Sequence, residues 1–404
     1  MTTLDLSHNQ FAPSGVLEVP FNDFKMTKNI GVHVACIQSI DEFKALKEDW
    51  NRLVGESINP HPFILWEWMF TWWEVYHQAS KDKLTILTLY HDGELVALAP
   101  FYIKSVSPFV KSLKLIGEGE NEADAAVTAY PDIIVKEQFR KQSISAFSEI
   151  LNGTSQLTLN FNFASFNLVH ENSILEELGQ CLTDRYVTLK NHSENQFVIN
   201  LPEDEDQYLQ GLSKSTRKQF RMKLNRIKKA GNVEITSVDD LKSGLETLEG
   251  LHRARWNDSA GRNIFDSHYF KRFHYKLCER FKNQNIMQIR VMNHAEKPIV
   301  AAYNLNYKNT CYSYLGGFKS SDDKRFSPMF LFDMLEIKNF IKHHFKRYDL
   351  LVSEAQNNYK TKFGSDVNSV YKIHWLKKGI ISKGMNTYLN VRPFLAKAYH
   401  LFSK

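Results

Sequence analysis

Residues 251–256 contain side chains that could carry out acid–base chemistry. His252 and Arg255 are three positions apart, so on a helix they share one face. A histidine can take a proton near neutral pH, and an adjacent arginine can hold an anionic acceptor. We therefore predict His252 as a candidate base, and Arg255 with Trp256 as candidate substrate contacts. The alternative is a histidine that only packs in the core.

A second set of candidates follows a short apolar run at residues 348–353. Glu354 stands at the end of this predicted strand, where burial could tune its pKa for the role of general base. Tyr359 is a candidate proton donor, and Lys360 could hold a phosphate or stabilise charge on a reacting carbonyl. Salt-bridged surface positions are the alternative interpretation of these side chains.

Residues 310–318 form a third predicted strand, which contains Tyr314 and ends in Gly316-Gly317. The two glycines could allow a bulge or the close approach of a ligand. Tyr314 is a candidate for an acceptor pocket, although cross-strand packing is an equal alternative. Ser327-Pro328 then predicts the start of a helix that runs to about residue 344, with the serine as N-cap. Such a helix start, preceded by paired strands, suits a pyrophosphate.

Residues 213–229 are rich in Lys and Arg and contain no acid. On a helix, Arg217 and Arg221 would belong to a broad positive face, which predicts capture of a polyanion such as CoA phosphates, a nucleotide-linked acceptor or tRNA. A solvated helix face is the alternative. Aromatic residues are not interleaved with these cations, which argues against DNA and makes tRNA the less favoured partner.

The rest of the chain must position these groups. With 404 residues and 43% hydrophobic residues, it is long enough for two domains or a duplicated fold. The apolar runs at 84–90 and 95–103 flank His91-Asp-Gly-Glu94, a strong hairpin signal, and the runs at 287–292 and 299–307 repeat that pattern roughly 200 residues later. A strand at 157–161 and a helical region at 203–230 are also expected. The pattern predicts an α/β protein with a mixed α+β sheet in two similar lobes.

We expect a loosely ordered arm at residues 1–30, lobes at 31–195 and 196–378, and an amphipathic helix at 379–404. That helix either packs on the protein or makes a peripheral contact with an anionic membrane. No signal peptide or transmembrane run is visible, and the 4 cysteines are widely spaced without metal-ligand spacing. We therefore expect a cytoplasmic protein without a metal.

The quoted segments resemble the GNAT acyltransferase superfamily, and in particular its CelD-like (cellulose-biosynthesis-associated) branch, which is related to Fem-type aminoacyl transferases. Ser213, Arg217 and Arg221 match the branch's pattern S-k-s-x-R-k-x-x-R, and residues 251–256 match its L-H-x-x-R-W. Asp349 and Tyr359-Lys360 match its D…Y-K pattern, although the separation is two residues longer. Met329 and Ser353 stand where the branch usually has glycines.

The resemblance implies a duplicated GNAT-like fold, with acetyl-CoA or another acyl-CoA as co-substrate and no permanently bound cofactor. We expect the chemistry in the second lobe, or else between the lobes, because the first lobe lacks the Gly-Gly, Ser-Pro and Tyr-Lys features. By analogy, the CoA pyrophosphate would be held by the following residues: Lys324, Arg325, Phe326, Ser327, Met329, Phe330 and Lys360. The acceptor, an unidentified amine or hydroxyl of a small molecule, sugar or cell-envelope precursor, would attack the thioester directly. A Fem-type transferase that uses aminoacyl-tRNA and a non-catalytic binding protein are the alternatives.

Overall fold

The structure is a computed structural model that describes residues 19–20, 32–77, 81–256, 263–319, 327–353 and 359–379. The strands are β1 Val19–Pro20, β2 Val32–Ile37, β3 Lys83–His91, β4 Glu94–Ser107, β5 Val110–Leu115, β6 Ile134–Val135, β7 Phe163–His170, β8 Tyr186–Asn200, β9 Val233–Ser237, β10 Met287–His294, β11 Lys297–Tyr307, β12 Thr310–Phe318, β13 Arg347–Ser353 and β14 Asp366–Lys377. The helices are α1 Ile40–Ala45, α2 Lys47–Glu56, α3 Trp66–Tyr76, α4 Arg140–Asn152, α5 Ile174–Cys181, α6 Glu205–Gly211, α7 Lys214–Ala230, α8 Leu241–Trp256, α9 His268–Arg280 and α10 Pro328–Lys342.

One mixed sheet runs through the molecule, in the order β1-β2-β3-β4-β5-β7-β14-β8-β13-β12-β11-β10-β9, with β6 paired to β4. Its two halves have the same pattern. Strands β2 to β5 pair in antiparallel fashion and β5 then pairs with β7 in parallel. Strands β9 to β12 repeat the antiparallel series, and β12 pairs with β13 in parallel. The predicted duplication of a GNAT-like unit is therefore visible in the topology.

The last strand of each half lies beside the other half. Strand β8 follows the first half in sequence but pairs with β13, whereas β14 follows the second half and pairs with β7. The two strands also pair with each other along most of their length. The boundary predicted at residues 195/196 falls inside β8, so the lobes share one hydrogen-bonded sheet.

The helices of the two lobes bury a common aromatic core. Nearly every side chain of α3 is buried, as expected for a helix that is apolar on all sides. Helix α3 packs against α9 of the second lobe, where Trp68 meets Phe273 edge-on at 4.9 Å between ring centroids. Arg280 on α9 donates to Thr71 and Glu74 on α3. Apolar burial, the Arg280–Glu74 ion pair and the hydrogen bond to Thr71 hold the lobes in one arrangement.

Several expectations from the sequence are confirmed and others are corrected. The hairpin at His91-Asp-Gly-Glu94 joins β3 to β4, and β12 has the predicted bounds. The strand expected at 157–161 is wrong, because the chain there is irregular and the strand is β7 at Phe163–His170. The single helical region expected at 203–230 is two helices, α6 and α7, which Leu212 and Ser213 separate.

The four cysteines are free. The predicted helix at 379–404 lies outside the described residues apart from Gly379, as does the arm at 1–30 apart from β1.

Candidate active site

The two parallel strands of the second lobe separate shortly after they meet. Pairing between β12 and β13 covers Thr310 with Arg347, Cys311 with Tyr348, and Tyr312 with Asp349, and over the described residues it ends there. On its other edge β12 has a bulge, so that Tyr314 stands opposite no residue of β11. A bulge bends its strand and redirects the neighbouring side chains. The result is a wedge-shaped gap between β12 and β13 with backbone groups along its edges.

Strand β13, on the other side of the gap, also has a bulge. Leu351 has a φ of 57°, and its N–H donates to Asp349 Oδ1 at 2.7 Å. Lys360 Nζ donates to the carbonyl oxygens of Leu350 at 2.7 Å and Val352 at 3.1 Å. Burial lowers the pKa of Lys360 to about 8. Lys360 thus ties the segment after β13 to the bulge.

Asp349, at the point where the strands part, connects both lobes. It is buried, and its carboxylate accepts from the Tyr130 hydroxyl at 3.0 Å and from Gln196 Nε2 at 2.7 Å. Burial raises the pKa of Asp349 to about 6. Tyr130 belongs to the first lobe, so a hydrogen bond between the lobes sets the geometry of the gap. The sequence marked Asp349 only as a motif match and did not indicate Tyr130.

Helix α10 begins beside the gap and offers the N–H groups of its first turn. These groups have no partner within the helix, and the positive end of the helix dipole lies there. Ser327 does not cap the helix with its side chain as predicted, and its hydroxyl instead accepts from Lys223 Nζ at 2.8 Å. Lys223 comes from the basic helix α7 and was not among the residues predicted individually. An ammonium group at a helix N-terminus is a suitable arrangement for a phosphate.

The two glycines of β12 serve packing between elements. A Cβ on Gly317 would lie 2.7 Å from the backbone nitrogen of His252, so α8 rests directly on the strand. A Cβ on Gly316 would meet the Cε atom of Met329 on α10 at 3.0 Å. Both glycines therefore make room for packing, Gly317 for α8 and Gly316 for Met329, and the bulge that the sequence allowed lies just before them at Tyr314.

His252 lies where α8 packs on Gly317, and its side chain is buried. Its ring meets that of Phe265 at 5.4 Å between centroids, and burial lowers its pKa, so the imidazole is neutral at pH 7. On the same helix, the guanidinium of Arg255 lies 4.6 Å from the ring centre of Phe318 at the end of β12. Trp256 ends the helix, and its side chain is outside the described residues.

The two candidate tyrosines lie on opposite faces of the sheet. Tyr314 belongs to an aromatic cluster between the lobes, with ring centroids 5.4 Å from Trp68 and 5.1 Å from Tyr303. Tyr359 hydrogen-bonds to Asp333 on α10. Burial raises the pKa of both tyrosines, so each hydroxyl keeps its proton at neutral pH. Burial also raises the pKa of Asp333 to about 8, so this carboxyl is mostly protonated at pH 7.

The basic helix places its two predicted arginines differently. Arg217 Nη1 donates to the carbonyl oxygens of Gln210 at 2.9 Å and Leu212 at 2.6 Å, so it closes the end of α6. Arg221 is exposed and lies on the outer surface. Four further predicted residues lie outside the described part of the chain: Lys324, Arg325, Phe326 and Glu354.

The equivalent gap in the first lobe is closed by its own side chains. Strand β5 pairs with β7 only at Ser112 with Phe163 and Leu113 with Ala164. Beyond these pairs, Lys114 Nζ donates to the Ser165 carbonyl at 3.2 Å, and Glu118 Oε1 accepts from the Asn167 N–H at 2.7 Å. Side chains thus bridge the gap of the first lobe, whereas the gap of the second lobe has α10 and Lys223 beside it.

Within the described ranges, no group of His, Cys, Asp and Glu could hold a metal ion. Among the helices that the structure describes, none is both long and apolar enough to pass through a membrane.

Comparisons with known proteins agree with this geometry. Residues 214–361 match the family model described as acetyltransferase (GNAT) domain, which covers α7, the gap, α10 and Lys360. No curated protein sequence matches significantly. The crystal structure of FemX has a TM-score of 0.56 and 12% identity, and the match covers 82% of this chain and 96% of FemX. A protein of unknown function from Bacteroides thetaiotaomicron (TM-score 0.48, 10% identity, 84% and 98% covered) and a tandem GNAT protein from the clavulanic acid pathway (0.45, 7%, 86% and 99%) are also similar. Residues 214–361 therefore resemble a GNAT acetyltransferase domain, which supports an acyltransferase, and the mixed α/β fold of the chain is similar to that of FemX.

Proposed function

We propose that this protein transfers an acyl group from an acyl-CoA thioester to an amine or hydroxyl acceptor of the small-molecule, sugar or cell-envelope type. The observation that carries the proposal is that β12 and β13 part after Tyr312 and Asp349, with the start of α10 and Lys223 beside them. A thioester in the gap would lie along backbone N–H groups, while the CoA pyrophosphate would meet the first turn of α10, near Ser327, Met329 and Phe330. The motifs of the CelD-like branch support this assignment.

The reaction that we propose needs no covalent enzyme intermediate. The acceptor attacks the thioester carbonyl, backbone N–H groups stabilise the oxyanion, and the C–S bond then breaks. His252 is neutral and Glu354 stands after β13, so either could take the acceptor's proton directly or through water. Tyr314 or Tyr359, both protonated at neutral pH, would protonate the departing thiolate.

Donor binding is tested by thermal unfolding of the purified protein with acetyl-CoA, longer acyl-CoAs and free CoA. A ligand at about 100 times its Kd that binds only the folded state adds about 2.7 kcal/mol of stability. Lys223→Ala should weaken CoA binding by about tenfold, because it removes a cation from the start of α10. Lys229→Ala, at an exposed position on the same helix, is the matched control and should leave the affinity unchanged. The absence of any CoA-dependent shift would refute acyl-CoA as the donor.

A Fem-type transferase with an aminoacyl-tRNA donor is the second candidate. Two observations favour it, the fold shared with FemX and the row of exposed cations on α7, which includes Lys214, Lys218 and Arg221. tRNA binding would weaken steeply with salt, because each neutralised phosphate releases counterions. A filter-binding assay between 50 and 200 mM salt separates this candidate from CoA use, and a protein that binds neither donor would be a non-catalytic binding protein.

A further inference from the structure

The hairpin between β4 and β5 ends in an exposed apolar tip. Its two turn residues are Pro108 and Phe109, and the phenylalanine is 87% exposed. Val106, the extra residue of a bulge in β4, is 55% exposed. Turns are built from residues such as Gly, Pro, Asn, Asp and Ser, and a phenylalanine side chain contributes nothing to their geometry. The turn itself therefore does not explain Phe109.

The tip projects past the neighbouring segments on both sides of the hairpin. The chain before β3 follows the hairpin to Ser105, whose N–H donates to Asp82 Oδ1 at 3.0 Å. The chain before β7 follows it to Lys111, whose N–H donates to Asn162 Oδ1 at 2.8 Å. Residues 106–110 lie beyond these two contacts. They can therefore enter another phase while the rest of the sheet stays in water.

The equivalent hairpin of the second lobe has a turn of the same length and a different character. Its turn residues, Lys308 and Asn309, are polar. Lys308 Nζ donates to the Gly55 carbonyl of the first lobe, and the Lys346 N–H donates to the Asn309 carbonyl at 2.8 Å. This second tip is thus fixed to the protein. The duplicated fold does not require an apolar turn residue, so Phe109 is particular to the first lobe.

The end of the sheet around the tip is rich in cations. Strands β5 and β7 start here side by side, β14 ends here beside β7, and β8 starts here beside β14. The Lys377 N–H donates to the Asn162 carbonyl at 3.0 Å, which places the end of β14 next to the hairpin. The cations of this end, called the basic edge, are the following: Lys81, Lys83, Lys111, Arg185, Lys377 and Lys378.

The acids that are nearest to these cations in sequence are Asp82 and Asp184. The Asp82 side chain is only 13% exposed, and besides the Ser105 N–H it faces His77 Nδ1 at 3.9 Å. The basic edge therefore presents an excess of positive charge. It spans the strands from β3 to β8, about 24 Å at the usual distance between neighbouring strands. A row of charges of this width is complementary to an extended anionic surface.

We propose that the basic edge binds the surface of an anionic lipid bilayer, with Val106 and Phe109 inserted among the headgroups. Aromatic and aliphatic side chains partition into the boundary between headgroups and acyl chains, and lysines beside them are attracted to anionic lipids. Single-stranded nucleic acid is less suitable, because its bases stack on rings that line a groove, whereas this tip protrudes. The inference is independent of the proposed acyltransferase function, because none of these residues belongs to the β12–β13 gap.

Co-sedimentation of the full-length protein with vesicles tests the proposal. We expect binding to an equimolar mixture of phosphatidylcholine and phosphatidylglycerol, and at least about tenfold weaker binding to phosphatidylcholine alone, because each lysine near an anionic surface strengthens binding about fivefold. Raising the salt concentration from about 50 to about 500 mM should weaken binding to the mixed vesicles, since it screens the charges. Equal binding to both vesicles, or binding to neither, would overturn the proposal.

Two pairs of variants locate the contact. Phe109→Ser should weaken binding to the mixed vesicles by about tenfold, since an apolar side chain no longer leaves water. Val367→Ser is its control, because Val367 is 50% exposed at the opposite end of β14, and it should leave binding unchanged. Lys111→Gln should weaken binding by about fivefold. Its control is Lys346→Gln, at an exposed position next to β13 at the opposite end of the sheet.

Vesicle binding that persists unchanged in Phe109→Ser and in Lys111→Gln would place the lipid contact elsewhere, for example on the basic helix α7, and would refute the assignment to the basic edge. Circular dichroism of each variant checks that it is folded. Both substituted side chains are exposed, so we expect the spectra to match that of the wild type.

A fluorescent label at the tip reports insertion directly. Val106→Cys is labelled with nitrobenzoxadiazole in a Cys181→Ser background, because Cys181 is exposed and the other three cysteines are buried. The fluorescence of the label should rise with the mixed vesicles and stay unchanged with phosphatidylcholine alone. A label that remains in water when the protein sediments with the mixed vesicles would refute insertion of the tip. A label that responds to bulk tRNA and not to vesicles would assign the basic edge to nucleic acid and overturn the proposal.

Discussion

Replacing Gly317 with alanine should destabilise the second lobe, because α8 lies directly on this residue. The added Cβ would be 2.7 Å from the backbone nitrogen of His252 and 2.9 Å from the Leu248 carbonyl oxygen. Both atoms belong to the helix backbone, so relief requires movement of the whole helix. Overpacking of this kind costs about 1–3 kcal/mol, and alanine regains about 0.5–1 kcal/mol of backbone entropy relative to glycine. We expect a net loss of about 1–2 kcal/mol in the free energy of unfolding.

The neighbouring glycine provides the matched control. A Cβ on Gly316 would meet only the end of the Met329 side chain, with Cε at 3.0 Å and Sδ at 3.5 Å, and a flexible methionine end can move. Gly316→Ala should therefore change the free energy of unfolding by less than about 0.5 kcal/mol. Urea unfolding followed by circular dichroism gives both values. Equal stability of Gly317→Ala and Gly316→Ala would refute the packing of α8 on β12 and the position of His252 with it.

Three further perturbations test the charged groups around the gaps. Tyr130→Phe should lower the free energy of unfolding by about 1–3 kcal/mol, because it removes a hydrogen bond to the buried Asp349, and urea unfolding measures the loss. Glu118→Gln should stabilise the protein by at most about 3 kcal/mol at pH 8 and have little effect at pH 4. Burial raises the pKa of Glu118 to about 7 in the folded protein. The wild type therefore loses stability as the pH rises from the pKa of this group in the unfolded chain to about 7. A pH series of urea unfolding curves for both proteins would contradict this if the curves ran parallel. Lys360→Met should lower the free energy of unfolding by about 1–3 kcal/mol, because the carbonyl groups lose their donor. It should also remove the gain in stability that the wild type shows from pH 8 upward, where the Lys360 ammonium has lost its proton in the folded protein and keeps it in the unfolded chain. The same rise in stability above pH 8 in wild type and variant would exclude the lowered pKa of Lys360.

Much of the local structure could be predicted from the sequence, because its signals come from residues that are close together in the chain. The turn at His91-Asp-Gly-Glu94 and the alternating strands beside it predicted the first hairpin, and Ser327-Pro328 predicted where α10 begins. Strand β12 was predicted with its exact limits because a turn and a polar run bound it. The strand expected at 157–161 failed because five residues of alternating polarity, Leu-Thr-Leu-Asn-Phe, are also compatible with an irregular segment. Pairing with β5 and β14 decides which residues become strand β7.

The candidate site was predicted less completely, because residues far apart in sequence build it. The sequence indicated Lys360, yet its partners are the carbonyl groups of a bulge that no side-chain pattern records. It indicated a basic helix, but not that Lys223 rather than Arg217 reaches the start of α10. Tyr130 could not be identified at all, since its partner Asp349 lies in the other lobe.

The sequence by itself indicated most of the elements and the duplication, because hydrophobic period, turn residues and motif spacing act over a few residues. Only the tertiary structure decided that side chains of the first lobe bridge its gap and that α10 and Lys223 lie beside the second gap. That choice depends on Lys114 and Glu118 filling the first gap, on β8 and β14 lying beside the opposite lobes, and on α8 resting against Gly317. Each of these contacts depends on the packing of segments that are far apart in the sequence, and a local sequence pattern does not predict such packing.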